Sequence, residues 1–159
     1  MSLTQLTGKQ NGFQTGMWGR EPEGFGELTD TQAEVVVIHT SPRATRRALE
    51  TAAELARGLA ARVRIIVPQI VPYPRPLTDP PVTAEFTKRS FRALTAEAGV
   101  EVKVDVRYCR DRDAMLEYAL CPGSLVVVGD TGILRPPGGA RLAWKLRRQG
   151  YHVVMAEGR

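Results

Sequence analysis

The sequence predicts an α/β domain: a parallel five-stranded sheet covered by helices on both faces, in three layers. Three observations lead there. EVVVIHT from Glu34, VRIIVPQIV from Val63 and SLVVVGD from Ser124 are apolar almost without interruption, as in strands buried on both faces. Between them lie stretches with helical apolar spacing and plausible caps. Strand-like and helix-like segments alternate along the chain, which implies right-handed crossovers and parallel strands.

Residues 1 to 33 precede that pattern and read as a flexible arm. They hold six glycines and no helical period, with Phe13, Trp18 and Phe25 as spaced apolar exceptions. The regular domain is expected over residues 34 to 159. EVVVIHT is the first strand. In the segment that follows, Ser41 suits an N-cap and Pro42 the first helical position. Leu49, Ala52, Ala53, Ala56, Leu59 and Ala60 then recur at helical spacing. VRIIVPQIV is the second strand. VPYPRPLTDPPV, with five prolines, continues neither element and is a stiff loop. Thr83 caps a helix reaching Ala98, with Phe86, Phe91 and Leu94 inward and Gly99 as its stop. VEVKVDVRY alternates apolar and polar residues, as a strand at a sheet edge does. Asp111 or Asp113 caps a short helix with Met115, Leu116 and Ala119. SLVVVGD is the fourth strand, Ala140 to Gln149 the last helix, and YHVVMAE the final strand.

Composition sets further bounds. A chain of 159 residues with 43% hydrophobic content builds a real core in one domain. No apolar run approaches the length of about 18 residues that a membrane span needs, and the N-terminus lacks the layout of a signal peptide. The expected location is the cytoplasm, with no membrane partner. Cys109 and Cys121 fit neither a metal spacing nor a disulfide framework and read as reduced thiols. The net charge of +5 comes mostly from arginine and favours anions without choosing a partner.

In a sheet of this kind ligands sit beyond the carboxyl ends of the strands, where strand order reverses. The loops after the first and fourth strands are therefore the candidates. Gly129 and Gly132 permit close backbone approach to an anion at a helix N-terminus, or serve an ordinary turn. Arg43, Arg46 and Arg47 crowd the start of the first long helix, where cations are disfavoured unless an anion is bound. Arg46 has Glu50 four residues on as an alternative partner. His39 reads more readily as a hydrogen-bonded packing residue than as a base, and His152 lies far along the chain. No paired carboxylates, nucleophilic triad or metal set stands out. Arg141, Lys145 and Arg148 form a stripe at i, i+4 and i+7, the pattern of a solvated helix face. A nucleic-acid footprint adds exposed aromatics, and Trp144 is open to being core.

DRDAMLEYALCPGSLVVVGDTG resembles the most recognisable stretch of the universal stress protein family, a short helix leading into an apolar strand that ends in Gly-x-x-Gly. VVVIHTSPRATRRALETAAELARGLAARVRII resembles that family's first strand, long helix and second strand. The resemblance covers roughly residues 34 to 157. It implies a Rossmann-like fold of the adenine nucleotide alpha hydrolase type with sheet order 3-2-1-4-5. ATP-binding members of the family carry Gly-x2-Gly-x9-Gly-Ser/Thr after the fourth strand and Asp-Gly-Ser after the first. Here Gly129 and Gly132 match the first pair, but nine residues on stand Leu142 and Ala143. A shortened loop would align Gly139 with Ala140, which has no hydroxyl, and His39, Thr40 and Ser41 replace Asp-Gly-Ser.

The candidate nucleotide- or anion-binding set is His39, Thr40, Ser41, Arg43, Val67, Gly129, Asp130, Thr131, Gly132 and Gly139. The function expected first is a non-enzymatic, stress-related or regulatory protein with a degenerate nucleotide or anion cleft. ATP binding or hydrolysis in that cleft is the alternative, and a basic nucleic-acid module the second. ATP or another phosphate-bearing ligand is the one candidate cofactor; nucleic acid is not an expected partner. The implied sheet order places YHVVMAE, residues 151 to 157, at an edge without proline or lysine. A strand edge of this kind pairs readily with another, so a homodimer through it is expected, as the resemblance also implies. Its rival is an N-terminal arm covering the same edge.

Overall fold

The structure, a computed structural model, describes residues 32–131 and 138–157. Gly132 and almost all of the expected arm lie outside the described residues. Five strands and four helices alternate: β1 (Glu34–Ile38), α1 (Pro42–Leu59), β2 (Arg62–Ile70), α2 (Ala84–Ala96), β3 (Val102–Cys109), α3 (Arg112–Ala119), β4 (Leu125–Gly129), α4 (Gly138–Arg148) and β5 (His152–Ala156). All neighbouring strands are parallel, and the sheet order is β3-β2-β1-β4-β5.

Double-sided burial of β1 organises the layers. Val35 and Val37 face α1 and α2, packing with Ala48, Leu49, Ala52 and Ala56 and reaching Phe91 and Leu94. Val36 and Ile38 face α3 and α4, against Leu116, Leu142 and Leu146. All four β1 residues are fully buried. The alanine-rich inner stripe of α1 brings its backbone close to the sheet. Ser41 caps the helix with its hydroxyl, Pro42 occupies the first turn, and Ala60 ends it in the left-handed region at φ 50°.

The strand ends explain residues that look out of place. β1 stops opposite Ile66, so residues 67–70 of β2 pair with β3 alone. Pro68 sits there, where its missing N–H faces no strand. Arg64, mostly buried in β2, is satisfied by Glu34 at 2.9 Å, Asp105 at 3.4 Å and the Ala119 carbonyl at 3.2 Å. α3 has eight residues and leaves this part of the sheet to a charged cluster. The proline-rich loop is fastened to β3: Arg110 donates to the carbonyls of Val71 and Arg75, and the Tyr108 hydroxyl donates to that of Val82.

Several details depart from the sequence expectation. Phe86 is 62% exposed. It lies in the first turn of α2, and the side chain that turns inward there is Thr87, whose hydroxyl meets the Gln69 amide at 2.6 Å. Leu59, in the last turn of α1, is more than half exposed. α2 ends two residues earlier than expected, and α4 starts two residues earlier, at its glycine pair. Arg46 pairs with Glu97 at 3.6 Å and not with Glu50, because its face of α1 turns toward the end of α2, as that of Arg57 does. Trp144 is 59% exposed and lies outside the core.

Candidate functional site

The reversal of strand order falls between β1 and β4, and both strands deliver their following loops to the same edge. On the β1 side, His39 donates its backbone N–H to the Ile66 carbonyl at 2.9 Å. Its Nδ1 lies 2.7 Å from the hydroxyl of Thr45, which is fully buried. The imidazole stands edge-on to Phe91, with ring centroids 5.0 Å apart. Burial pushes its pKa below the usual histidine value, so the ring is a neutral packing group at pH 7. The Ser41 hydroxyl accepts from the Ala44 N–H at 3.3 Å, and the Ser41 carbonyl accepts from Thr45 at 2.9 Å. The first turn of α1 is thus capped by its own chain.

On the β4 side, the backbone is clamped between two helices. A Cβ on Gly129 would stand 1.9 Å from the carbonyl oxygen of Ala44 in α1. A Cβ on Gly139, in the first turn of α4, would stand 2.5 Å from the carbonyl oxygen of Gly129. The Asp130 N–H donates to Ala156 at 3.1 Å, and the Asp130 carbonyl accepts from Arg47 at 3.1 Å. Of the three arginines at the start of α1, Arg47 is therefore the one shown binding the β4 turn. Arg43 is exposed, and Arg46 is paired with Glu97. Thr131 is half-buried, and Val67 belongs to the core.

Among the described residues, open space at this edge lies beside the end of β1. A cleft of about 420 Å³ is lined by His39 and Thr40, by Pro68 and Ile70 at the end of β2, and by Asp111, Arg112 and Asp113 at the start of α3. Its floor is neutral or apolar, and its rim carries two carboxylates and one guanidinium. The Asp111 carboxylate accepts from the amides of Asp113 and Ala114 at 2.7 and 3.3 Å, so these α3 amides already have an anion. The Lys145 ammonium bonded to Asp113 holds that carboxyl below its usual range. Among the described residues no cluster of His, Cys, Asp or Glu is placed to hold a metal ion, and no described helix is long and apolar enough to cross a membrane.

No family model and no curated protein matches the sequence. Solved structures do. A universal stress protein from Archaeoglobus fulgidus superposes with a TM-score of 0.52 at 13% identity, covering 78% of this chain and 97% of that one. A universal stress protein solved in complex with cAMP superposes with a TM-score of 0.51 at 19% identity, covering 78% of this chain and 95% of that one. The fold is that of the universal stress proteins.

Within the universal stress protein fold, the structure brings His39, Thr40 and Ser41 to the same edge as Gly129, Asp130, Thr131 and Gly139, with His39 and Thr40 reaching the cleft. Gly132 lies outside the described residues. Sequence reasoning did not assign Pro68, Ile70, Asp111, Arg112 or Asp113 to the cleft. Asp111 was visible as a helix cap, but its position beside His39 depends on β3 and β1 lying two places apart in the sheet.

The clamp on Gly129 makes a stability prediction. Gly129→Ala should cost about 2 kcal/mol or more, since the Ala44 backbone at the start of α1 must move. Urea denaturation checks this; an unchanged midpoint contradicts the close approach.

His39 makes a pH prediction. A histidine whose folded pKa lies below its unfolded value of about 6.5 binds fewer protons when folded. Its contribution is therefore present above that value and is lost as pH falls through it toward the folded pKa. His39→Gln should flatten the fall in stability between about pH 7 and pH 5; an equally steep fall in the variant assigns the effect to other groups.

Proposed function

We propose that this chain is a non-enzymatic, universal stress protein-like regulatory protein of the cytoplasm, with a degenerate nucleotide cleft at the carboxyl edge of its sheet. The observation that carries this reading is the engagement of Gly129, Asp130 and Gly139, the described residues flanking the β4 turn, within the domain. Gly129 receives α1, Gly139 receives Gly129, and both polar backbone groups of Asp130 bond within the domain. A phosphate cradle needs convergent amides left free for the ligand. The position after β1 that would bear an acid holds His39, which is engaged with Thr45 and Phe91. The carboxylates of Asp111 and Asp113 on the rim further disfavour a polyphosphate.

One of the structures this chain resembles holds cAMP, and a ligand with a single phosphate suits this rim better than ATP does. ATP binding and hydrolysis remain the second reading of the same cleft. Hydrolysis calls for a group that orients or activates water, and His39, the basic ring lining the cleft, is held by Thr45. Calorimetry with ATP and magnesium should give a dissociation constant weaker than micromolar. A sub-micromolar constant overturns the degenerate-cleft reading.

The same proposal includes a homodimer through β5. That strand is an edge of the sheet, and Val153, Val154 and Met155 along it are only partly buried. Pairing with a second copy about a two-fold axis closes such an edge. Light scattering should show a dimer for the full chain, weakened by Val154→Lys. A monomer both for the full chain and for the chain starting at Thr31 defeats it, whereas dimerisation only after truncation assigns the edge to the N-terminal arm.

A further inference from the structure

The outer face of α4 combines features that the fold and the cleft leave unused. Its inner stripe, Leu142, Ala143 and Leu146, is buried against the sheet. Its outer stripe is Arg141, Trp144, Lys145 and Arg148, and the helix contains no acidic residue. A tryptophan with no role in the core is a costly residue to leave in water, and Trp144 is 59% exposed. It is also held in place: the Arg148 guanidinium lies over its ring, 4.8 Å from the centroid. One face of the indole is thus backed by a cation, and the ring stands in a row of positive charges.

The neighbouring helix extends this surface. Lys145 bonds to Asp113 and Gln149 to Glu117, so α3 runs alongside α4. With Leu116 turned into the core, Tyr118 points outward, and it is 94% exposed. Asp113 neutralises Lys145, but Arg141 and Arg148 keep their charge available to a ligand.

We propose that the α3–α4 face binds single-stranded nucleic acid, with Trp144 as a stacking platform for an unpaired base and Arg141 and Arg148 as phosphate contacts. Aromatic rings interleaved with cations are what such a strand requires. Bases stack on the rings with little sequence preference, while the charges track the backbone. A duplex keeps its base faces inside the stack and cannot use the indole. An acidic polypeptide meets the charges but has no use for a ring backed by arginine. Insertion into a membrane would call for a free apolar face, and that of α4 is already buried in the domain. Trp144, Arg141 and Arg148 do not line the carboxyl-edge cleft, although Asp113 on its rim bonds to Lys145 beside them.

Fluorescence anisotropy of a labelled fifteen-base oligothymidine with the full chain tests this, measured across a salt series. Binding should weaken with rising salt. Trp144→Ala should weaken it about fivefold or more, as loss of a stacked base does, and Trp144→Phe should restore most of the affinity. Arg141→Ala should reduce the salt slope by about one. Both positions are exposed, so folding is not at stake, and thermal melts confirm it. The proposal is overturned if Trp144→Ala binds as the parent does, if a duplex of the same length binds equally, or if polyglutamate competes as well as unlabelled oligothymidine.

Discussion

Everything in this domain depends on β1 having no exposed face. Val35 to Ile38 are fully buried, so helices must cover both sides of the strand, and its neighbours β2 and β4 must be parallel to be reached by crossovers over those helices. The same demand selects the residues of α1. Alanines at positions 48, 52, 53 and 56 bring its backbone down onto β1 and β4 at a distance that leucines would not allow. That closeness has a consequence at the end of β4. Where α1 begins, the Ala44 carbonyl occupies the space that a side chain at position 129 would need.

Gly129 and Gly139 at the sheet edge both receive close backbone approaches. A Gly-x-x-Gly after a strand is compatible with phosphate binding and with close helix approach. Here Ala156 and Arg47 engage the polar backbone groups of Asp130. The open volume moves toward β2 and β3, where β2 runs past the end of β1 and the capped start of α3 forms the rim. Chain ends and strand lengths, more than any motif, determine where this cleft lies and which charges it presents.

Charge is distributed by the same logic. Arg64 enters the sheet where the eight-residue α3 leaves room, and two carboxylates and a carbonyl satisfy it. Arg110 uses its fork to fasten the proline-rich loop to β3, with Tyr73 under its guanidinium. Arg47 and Arg57 bond to backbone carbonyls across element boundaries. Much of the arginine content therefore performs internal bonding, which the net charge alone does not reveal.

The sequence by itself determined the order and type of all nine elements, the edge position of β3, the cap at Ser41 and the hydrogen-bonded, packed character of His39. These follow from local periodicity, from capping chemistry and from a single residue's burial, all of which short stretches of chain express. The strand order came from family resemblance, since periodicity alone does not order strands. Tertiary structure alone decided which side chains meet across elements. Arg46 turned to Glu97 and away from Glu50, Phe86 and Trp144 went to solvent, and His39 came to share a cleft with Asp111. The physical reason is that helical spacing defines a face but not its depth. How far a face is buried depends on the length of the neighbouring strands and helices, and that is set by residues distant in sequence.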